Sequence, residues 1–553
     1  MNLGKQVIYQ AYPRSFKDTS GNGIGDLKGI SQKVAYLKKL GVDMVWINPF
    51  FVSPQNDNGY DIADYYHVDP AFGTDEDLDN LIAEFDKANI KLMFDMVLNH
   101  TSTEHEWFKK ALAGDEKYQN FYYIREGKDG NYPTNWQSKF GGPAWNEFGD
   151  SGKYYLCLYD KTQADLNWHN PDLREELYKI VNYWIDKGIG GFRFDVLNVI
   201  GKSQILEDSS GDISEEKKLY TDTPIVHRWI RELNKHTFGK KPEIITVGEM
   251  SSTDIENSSM YSAAEGDELS MIFSFHHLKV DYKDGDKWTD MNFDFMKLKE
   301  ILNKWQKGLQ DGGGWNALFW NNHDQPRANN RFGDVKNYPK ETATMLAQTI
   351  HMMRGTPYIY QGEEIGMTDP DFSSIEDYKD IESINAYKDL IEKGKSADEA
   401  LKIIKKKSRD NSRTPMQWDG SENAGFTTGT PWIGVNDNYK EINAAKSLED
   451  KDSIFYYYKK LIELRKEEPI ISDGLYFPIL EDDPHIFAYI REYEGEVLIN
   501  MNNFSDEDVK VNLEEILEDY DKFEYLLGNY GDRKVESEIE LAPYESLALI
   551  KRV

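Results

Sequence analysis
In the heptapeptide GGFRFDV (Gly190–Val196) an arginine and an aspartate stand two residues apart between apolar neighbours. Side chains alternate along a strand, so an extended conformation puts Arg193 and Asp195 on one face. A guanidinium beside Asp195 keeps that carboxyl ionised, the state a carboxylate nucleophile needs. A buried Arg/Asp pair that merely closes a strand end has the same appearance in isolation. Four more groups in recognisable company point to chemistry: His100 in DMVLNH, Glu249 in VGEM, and His323 with Asp324 in NNHDQPR. Two carboxylates in different environments can run glycoside hydrolysis, one ionised as nucleophile and the other protonated as acid. Asp195 suits the first role. Glu249 suits the second, because it follows the apolar run IITVG, where burial raises a carboxyl pKa. Asp324 would hold sugar hydroxyls and help distort the ring, and the histidines would donate hydrogen bonds to developing charge. Metal binding is the competing use of such residues, but no HxH or HExxH spacing occurs.

These groups need a scaffold that brings distant positions together. Short apolar runs alternate with helix-period stretches. Strands are predicted at 6–12, 42–48, 91–99, 190–195, 243–249, 271–275, 316–321 and 357–361, and helices at 31–40, 77–88, 226–238, 295–309 and 340–353. A repeated β-then-α unit predicts a parallel sheet with right-handed crossovers, and eight strands predict a closed (β/α)₈ barrel; an open doubly wound sheet is the architectural rival. In a barrel, groups ending strands three, four, five and seven share the C-terminal face, where active sites are built. Connections of unusual length interrupt the pattern. An inserted subdomain is expected at 101–170 between barrel parts 1–100 and 171–474, and 367–440 is a second long excursion. From 475 to 553 alternating strands predict a small all-β sandwich domain.

Composition narrows the partners. With 65 Lys+Arg against 97 Asp+Glu the formal charge is −32, which argues against nucleic acid. The single cysteine, Cys157, cannot form an internal disulfide. Neither a leader segment nor an apolar run of membrane-spanning length is expected, so the reading is a cytosolic protein with no membrane partner and a small-molecule substrate.

The four motifs DMVLNH, GFRFDV, VGEM and NNHDQPR, in this order, resemble the α-amylase family of glycoside hydrolases. The resemblance runs essentially end to end. It implies a (β/α)₈ barrel, a domain inserted after strand three, a C-terminal β domain and a retaining double displacement. It further implies Asp195 as nucleophile, Glu249 as acid/base and Asp324 as transition-state stabiliser, with His100, His323 and Arg193 contacting the sugar at the cleaved bond. More closely, SPQNDNGYD resembles the exo-acting α-glucosidases of the family, which implies that Asp57 holds the terminal sugar and that Tyr60 lies beneath it. Arg409 in SRDNSRTP matches an arginine that pairs with Asp57, and Gln163 in KTQADLNW a residue near that pocket.

FSFHHLKVDYKDGDKW (Phe273–Trp288), VGEMSSTDI and DGGGWNALFW resemble members that cleave a phosphorylated disaccharide. An acidic protein taking such a substrate needs local cations, and Lys279, Lys287 and His277 are the candidates. Neutral isomalto-oligosaccharides are the alternative substrate, and a non-catalytic barrel scaffold a distant alternative from another class. No cofactor is expected for catalysis. The loop DTSGNGIGD places Asp18, Ser20, Asn22, the Ile24 carbonyl and Asp26 at alternate positions, similar to a calcium loop without its distal glutamate. Relatives with this segment bind a structural cation, so Ca²⁺ or Mg²⁺ is expected there, although turn formation selects the same residues.

Overall fold
The computed structural model describes residues 2–517 and 519–553. Eight short strands carry the barrel: β1 (Ile8–Ala11), β2 (Met44–Ile47), β3 (Lys91–Val97), β4 (Gly191–Asp195), β5 (Ile245–Glu249), β6 (Met271–Phe273), β7 (Ala317–Leu318) and β8 (Thr356–Tyr360). They form one sheet in the order β6-β5-β4-β3-β2-β1-β8-β7, a nearly closed parallel barrel. Nearly every residue of these strands is buried, as expected where both faces of a parallel sheet are covered.

The helices begin on side chains that satisfy their free amides. Thr74 and Asp77 form a capping box on Asp75–Lys87, and Asn170 caps Pro171–Asp186, which starts on a proline. Two expectations shift. The stretch 31–40 is two helices, Leu27–Gln32 and Val34–Leu40, because Lys33 leaves the helical region and caps the first while opening the second. The seventh strand, expected over 316–321, spans only Ala317–Leu318, so His323 and Asp324 lie in the turn beyond it rather than at its end.

By contact the chain divides into two compact units: 46–274 with 312–315, and 2–45 with 275–311 and 316–553. The first holds β3 to β6 and the segment following β3. That segment contains helices Glu106–Leu112 and Glu116–Gln119, a three-stranded antiparallel sheet, and a ribbon pairing His100–Ser102 with Gln163–Asp165. The ribbon returns residue 163 to the vicinity of the β3 exit. The second unit holds β1, β7, β8 and the C-terminal strands β9 (Leu475–Ile479), β10 (Ile486–Tyr493), β11 (Glu496–Asn503), β12 (Val509–Asn512), β13 (Glu524–Gly528), β14 (Glu538–Leu541) and β15 (Ser546–Lys551). Their sheets, β9-β10-β11-β15-β13 and β12-β14, share a core of alternate residues including Ile486, Ala488, Ile499, Met501, Val511 and Leu541. Among the described residues no helix is long and apolar enough to cross a membrane.

Candidate active site
Each unit carries a cluster of the expected residues. In the first, the parallel register of β3 and β4 sets Arg193 opposite Asp95 and Asp195 opposite Val97, while β4 and β5 set Arg193 opposite Val247. Lateral neighbours in a parallel sheet share a face, so the guanidinium meets Asp95 as a consequence of register. Arg193 Nη1 donates to Asp95 Oδ1 at 2.6 Å and Asp195 Oδ1 at 2.7 Å, and Nη2 pairs with Glu249 Oε2. One guanidinium therefore serves three carboxylates.

The far side of this group is dry and the near side is not. The side chains of Arg193 and Asp95 are 1% and 0% exposed, against 11% for Asp195 and 15% for Glu249. Asp95 Oδ2 accepts from Trp46 Nε1 at 3.1 Å and Tyr60 Oη at 2.9 Å, and Arg193 lies over both of those rings. Burial alone would lower the Arg193 pKa, but Asp95, Tyr60 and Asp195 raise it above its ordinary value, so the cation persists. Burial raises the Asp95 carboxyl, with Arg193 opposing. Asp195 is followed by Val196 at φ 37° and ψ 42°, left-handed backbone that a β-branched residue adopts only under constraint. Its side chain packs with Tyr123, Trp136, Val199 and Tyr220, which holds the turn.

Arg193 thus holds Asp195 on one terminal nitrogen and Glu249 on the other, so the two carboxylates flank one guanidinium. A double displacement needs such a pair at about 5 Å, whereas about 6.5–9.5 Å admits a water between the two. The formal excess of negative charge around Arg193 suits a transition state that becomes cationic at the sugar ring.

The other expected residues of this unit are connected to the same group. Gln163 Nε2 donates to Asp57 Oδ2 at 3.0 Å, and Asp57 N donates to Asp61 Oδ1 at 3.2 Å. His100 Nδ1 faces Asn99 Nδ2 at 3.1 Å and must accept, so Nε2–H donates to the Tyr60 carbonyl at 3.2 Å. Burial pushes the His100 pKa down to about 4, which keeps this tautomer neutral. Sequence reading missed what lies behind it: Lys202 Nζ, fully buried, bonds Asn99 Oδ1 at 2.8 Å and Asp165 Oδ1 at 2.9 Å. A lysine in VIGKSQ reads as surface; only its partners, far off in sequence, make it internal. Asp95 carried a signal, since it lies one alternation from Val97 and two from Asn99 in a strand already singled out.

In the second unit His323 is buried and stacked on Tyr12, with ring centroids 5.9 Å apart. Gln10 Nε2 lies 3.0 Å from His323 Nδ1, which makes Nδ1 the acceptor and leaves Nε2–H to donate to Asp324 Oδ2 at 3.2 Å. The other Asp324 oxygen takes Arg413 Nη2 at 2.6 Å and Arg409 Nη1 at 3.3 Å. Arg409 also grips Asp380 through Nη2 at 2.6 Å and Nε at 3.1 Å, and its Nε is 3.3 Å from Glu382. Burial would raise the Asp380 carboxyl, but Arg409 and Arg413 hold it well below its usual range. Of the expected phosphate cations, Lys287 pairs with Glu382 at 2.8 Å. Burial opposes its charge and Glu382 favours it, for a net upward shift. His277 Nε2 donates to the Phe319 carbonyl at 2.9 Å, and burial lowers its pKa to about 4, so it is neutral. Lys279 is half-buried in the turn His276–Lys279. Arg413, Asp380 and Glu382 were not anticipated.

The expected cation in the loop at Asp18, Ser20, Asn22, Ile24 and Asp26 is corrected. Among the described residues no group of three or more His, Cys, Asp or Glu side chains is placed to hold a metal ion. The loop's oxygens are turned onto its own donors. Asp18 accepts from the amides of Ser20, Gly21 and Gly23 at 2.8–2.9 Å and from Thr427 Oγ1 at 2.5 Å. Asn22 Oδ1 takes the Ile24 amide at 2.8 Å. Asp26 caps the following helix through Gly29 N at 2.7 Å and also accepts from Thr19. The spacing that resembled a ligand set is a run of side-chain-to-backbone turns.

The family profile described as "Alpha amylase, catalytic domain" matches residues 10–474, and "Alpha-amylase SusG C-terminal domain" matches 486–547. The chain is 51% identical over 546 residues to a trehalose-6-phosphate hydrolase of Bacillus subtilis, covering 98% of this chain and 97% of the relative. It is 47% identical over 550 residues to an oligo-1,6-glucosidase of Bacillus cereus, with 98% of each covered. Among solved structures, the crystal structure of Bacillus licheniformis trehalose-6-phosphate hydrolase superposes with a TM-score of 0.95 at 51% identity, over 99% of both chains.

Proposed function
The chain belongs to the α-amylase family of glycoside hydrolases, and from that premise we propose that it is a retaining α-glucosidase that hydrolyses trehalose 6-phosphate to glucose and glucose 6-phosphate. The observation that carries the chemistry is Arg193 joined to both Asp195 and Glu249. In the proposed reaction the Asp195 carboxylate attacks the anomeric carbon while Glu249 gives its proton to the glycosidic oxygen. The C–O bond breaks, glucose 6-phosphate leaves, and a glucosyl ester forms on Asp195. Glu249, now a carboxylate, takes a proton from water as its oxygen attacks the same carbon. The ester breaks with retained configuration, and both carboxyl groups return to their starting states.

Roles for the remaining residues follow the family. Asp324 stabilises the transition state. Asp57 and Tyr60 hold the glucosyl unit with Gln163, His100, Arg193, His323 and Arg409, and Lys279 and Lys287 face the phosphate. The greater identity to a relative named for trehalose 6-phosphate supports the phosphorylated substrate. Glu382 on Lys287 favours the second reading, a neutral isomalto-oligosaccharide, because the cation meant for phosphate already has a counter-ion. The test compares kcat/KM for trehalose 6-phosphate and isomaltose, before and after charge reversal at Lys279 and Lys287. We expect trehalose 6-phosphate to be preferred and the preference to collapse on reversal. Equal or inverted preference in the unaltered enzyme would favour the second reading. A cytosolic setting is supported by the free, buried thiol of Cys157.

A further inference from the structure
Asp324 is unusually well gripped for a side chain that keeps 32% of its surface open. Arg413, at the end of the short helix Asp410–Arg413, presents its planar fork to two consecutive residues. Nε donates to the His323 carbonyl at 2.8 Å and Nη2 to Asp324 Oδ1 at 2.6 Å. One rigid group thus fixes the backbone that leads into Asp324 and the carboxylate that leaves it. The second oxygen is met by His323 Nε2 at 3.2 Å, and the Asp324 amide donates to Asn322 Oδ1 at 2.8 Å.

The arginine is itself fixed. Its side chain is 2% exposed, and Nη1 lies 3.7 Å from Asp380 Oδ1, the atom that also takes both Arg409 contacts. Asp380 Oδ2 accepts from Ser383 N at 3.1 Å and Oγ at 2.8 Å, and the Asp380 amide donates to Asp410 Oδ2 at 2.8 Å. An ammonium on a flexible stem could keep the charge of Arg413 but could not make both fork contacts at once.

We propose that Arg413 is a positioning residue of the glycosidase reaction, acting through Asp324 by locking its rotamer and its approach to the substrate. The proposal rests on the stabilising role assigned to Asp324. Because Arg413 is buried, its loss should change the chemical step and spare binding. A displacement of about 1 Å in such a group costs on the order of 100-fold in rate.

The experiment is a double-variant cycle with steady-state kinetics on trehalose 6-phosphate. Arg413→Gln is expected to lower kcat about 100-fold with KM within about threefold, and Arg413→Lys to give an intermediate kcat. In an Asp324→Asn background the same substitutions should lower kcat by less than about threefold, because the group they position is already disabled. Full, additive losses in that background would overturn the proposal, as would an Arg413→Lys enzyme with unaltered kcat. Should Arg413→Gln fail to fold, the lysine variant carries the cycle alone. Asp324→Asn by itself separates the two failures. An unchanged kcat there removes the role of Asp324 and the proposal together, whereas a loss there with additivity in the cycle overturns the proposal alone.

Discussion

The two clusters solve opposite electrostatic problems. Around Arg193 one cation serves Asp95, Asp195 and Glu249, a formal surplus of negative charge in a mostly buried place. Around Asp324 the proportion is reversed: Arg409 and Arg413 both reach one carboxylate, and Arg409 and Lys287 tie it to Asp380 and Glu382. A formal surplus of negative charge is what a developing oxocarbenium can relieve, which suits the reacting role proposed for the first cluster. Several cationic contacts on one carboxylate hold a side chain still, which suits the role proposed for Asp324 in the second. The difference teaches that a carboxylate's environment, more than its presence, assigns its task.

Removing the reacting oxygens should have the largest effect. Asp195→Asn is expected to lower kcat/KM by about 10⁴-fold or more, measured on an aryl α-glucoside. A loss under tenfold would place the nucleophile elsewhere and dissolve the contrast. Next comes the hub of each cluster. Arg193→Gln leaves its carboxylates without their shared cation and should cost about 3–5 kcal/mol of stability. Arg409→Gln leaves Arg413 on Asp324 and should cost less, about 1–2 kcal/mol. Urea midpoints compare the two, and equal losses would mean that the surplus around Arg193 is illusory.

A third expectation concerns pH, and it comes from the second unit. Glu363 is buried, and burial raises its carboxyl pKa to about 8, with Arg327 opposing and Glu364 adding. The folded form therefore keeps a proton that the unfolded chain loses above its ordinary pKa of 4.5. Stability is penalised increasingly as pH rises from there toward 8, and the penalty is absent below. Glu363→Gln should gain on the unaltered protein by on the order of 1 kcal/mol per unit across that window. Thermal midpoints at intervals between about pH 5 and pH 8 measure it; a constant difference between the two proteins would contradict it. The smallest effect lies in the loop at Asp18. Asp18→Asn removes charge from an acceptor of three amides and should cost about 1 kcal/mol. A chelator should leave the thermal midpoint of the unaltered protein where it was; a fall would restore a cation to that loop.

The same contrast explains what could be read from the sequence. Arg193 and Asp195 were legible because period-two alternation puts them on one face, and Glu249 because it ends an apolar strand. Partners fixed by register or by strand ends obey rules a reader can apply. In the second cluster His323 and Asp324 were legible because they follow strand seven, but their partners obey no such rule. Arg413 reaches Asp324 across 89 positions and Asp380 across a long excursion, so only the folded chain brings them together. Lys202 escaped notice for the same reason. The loop at 18–26 misled for a different one. Carboxylate, amide and hydroxyl oxygens at alternate positions satisfy a cation or their own backbone amides equally well, and spacing does not say which. Strand seven was overextended because NALFWNN is apolar well past the last ladder bond, its remaining residues being buried in the turn.

The central claim is that Asp195 attacks the anomeric carbon while Glu249, joined to it through Arg193, serves first as acid to the leaving oxygen and then as base to water. Proton NMR of the glucose first released from trehalose 6-phosphate, recorded before mutarotation, tests it most directly. α-Glucose is the result this account requires, and β-glucose as the first product would contradict it.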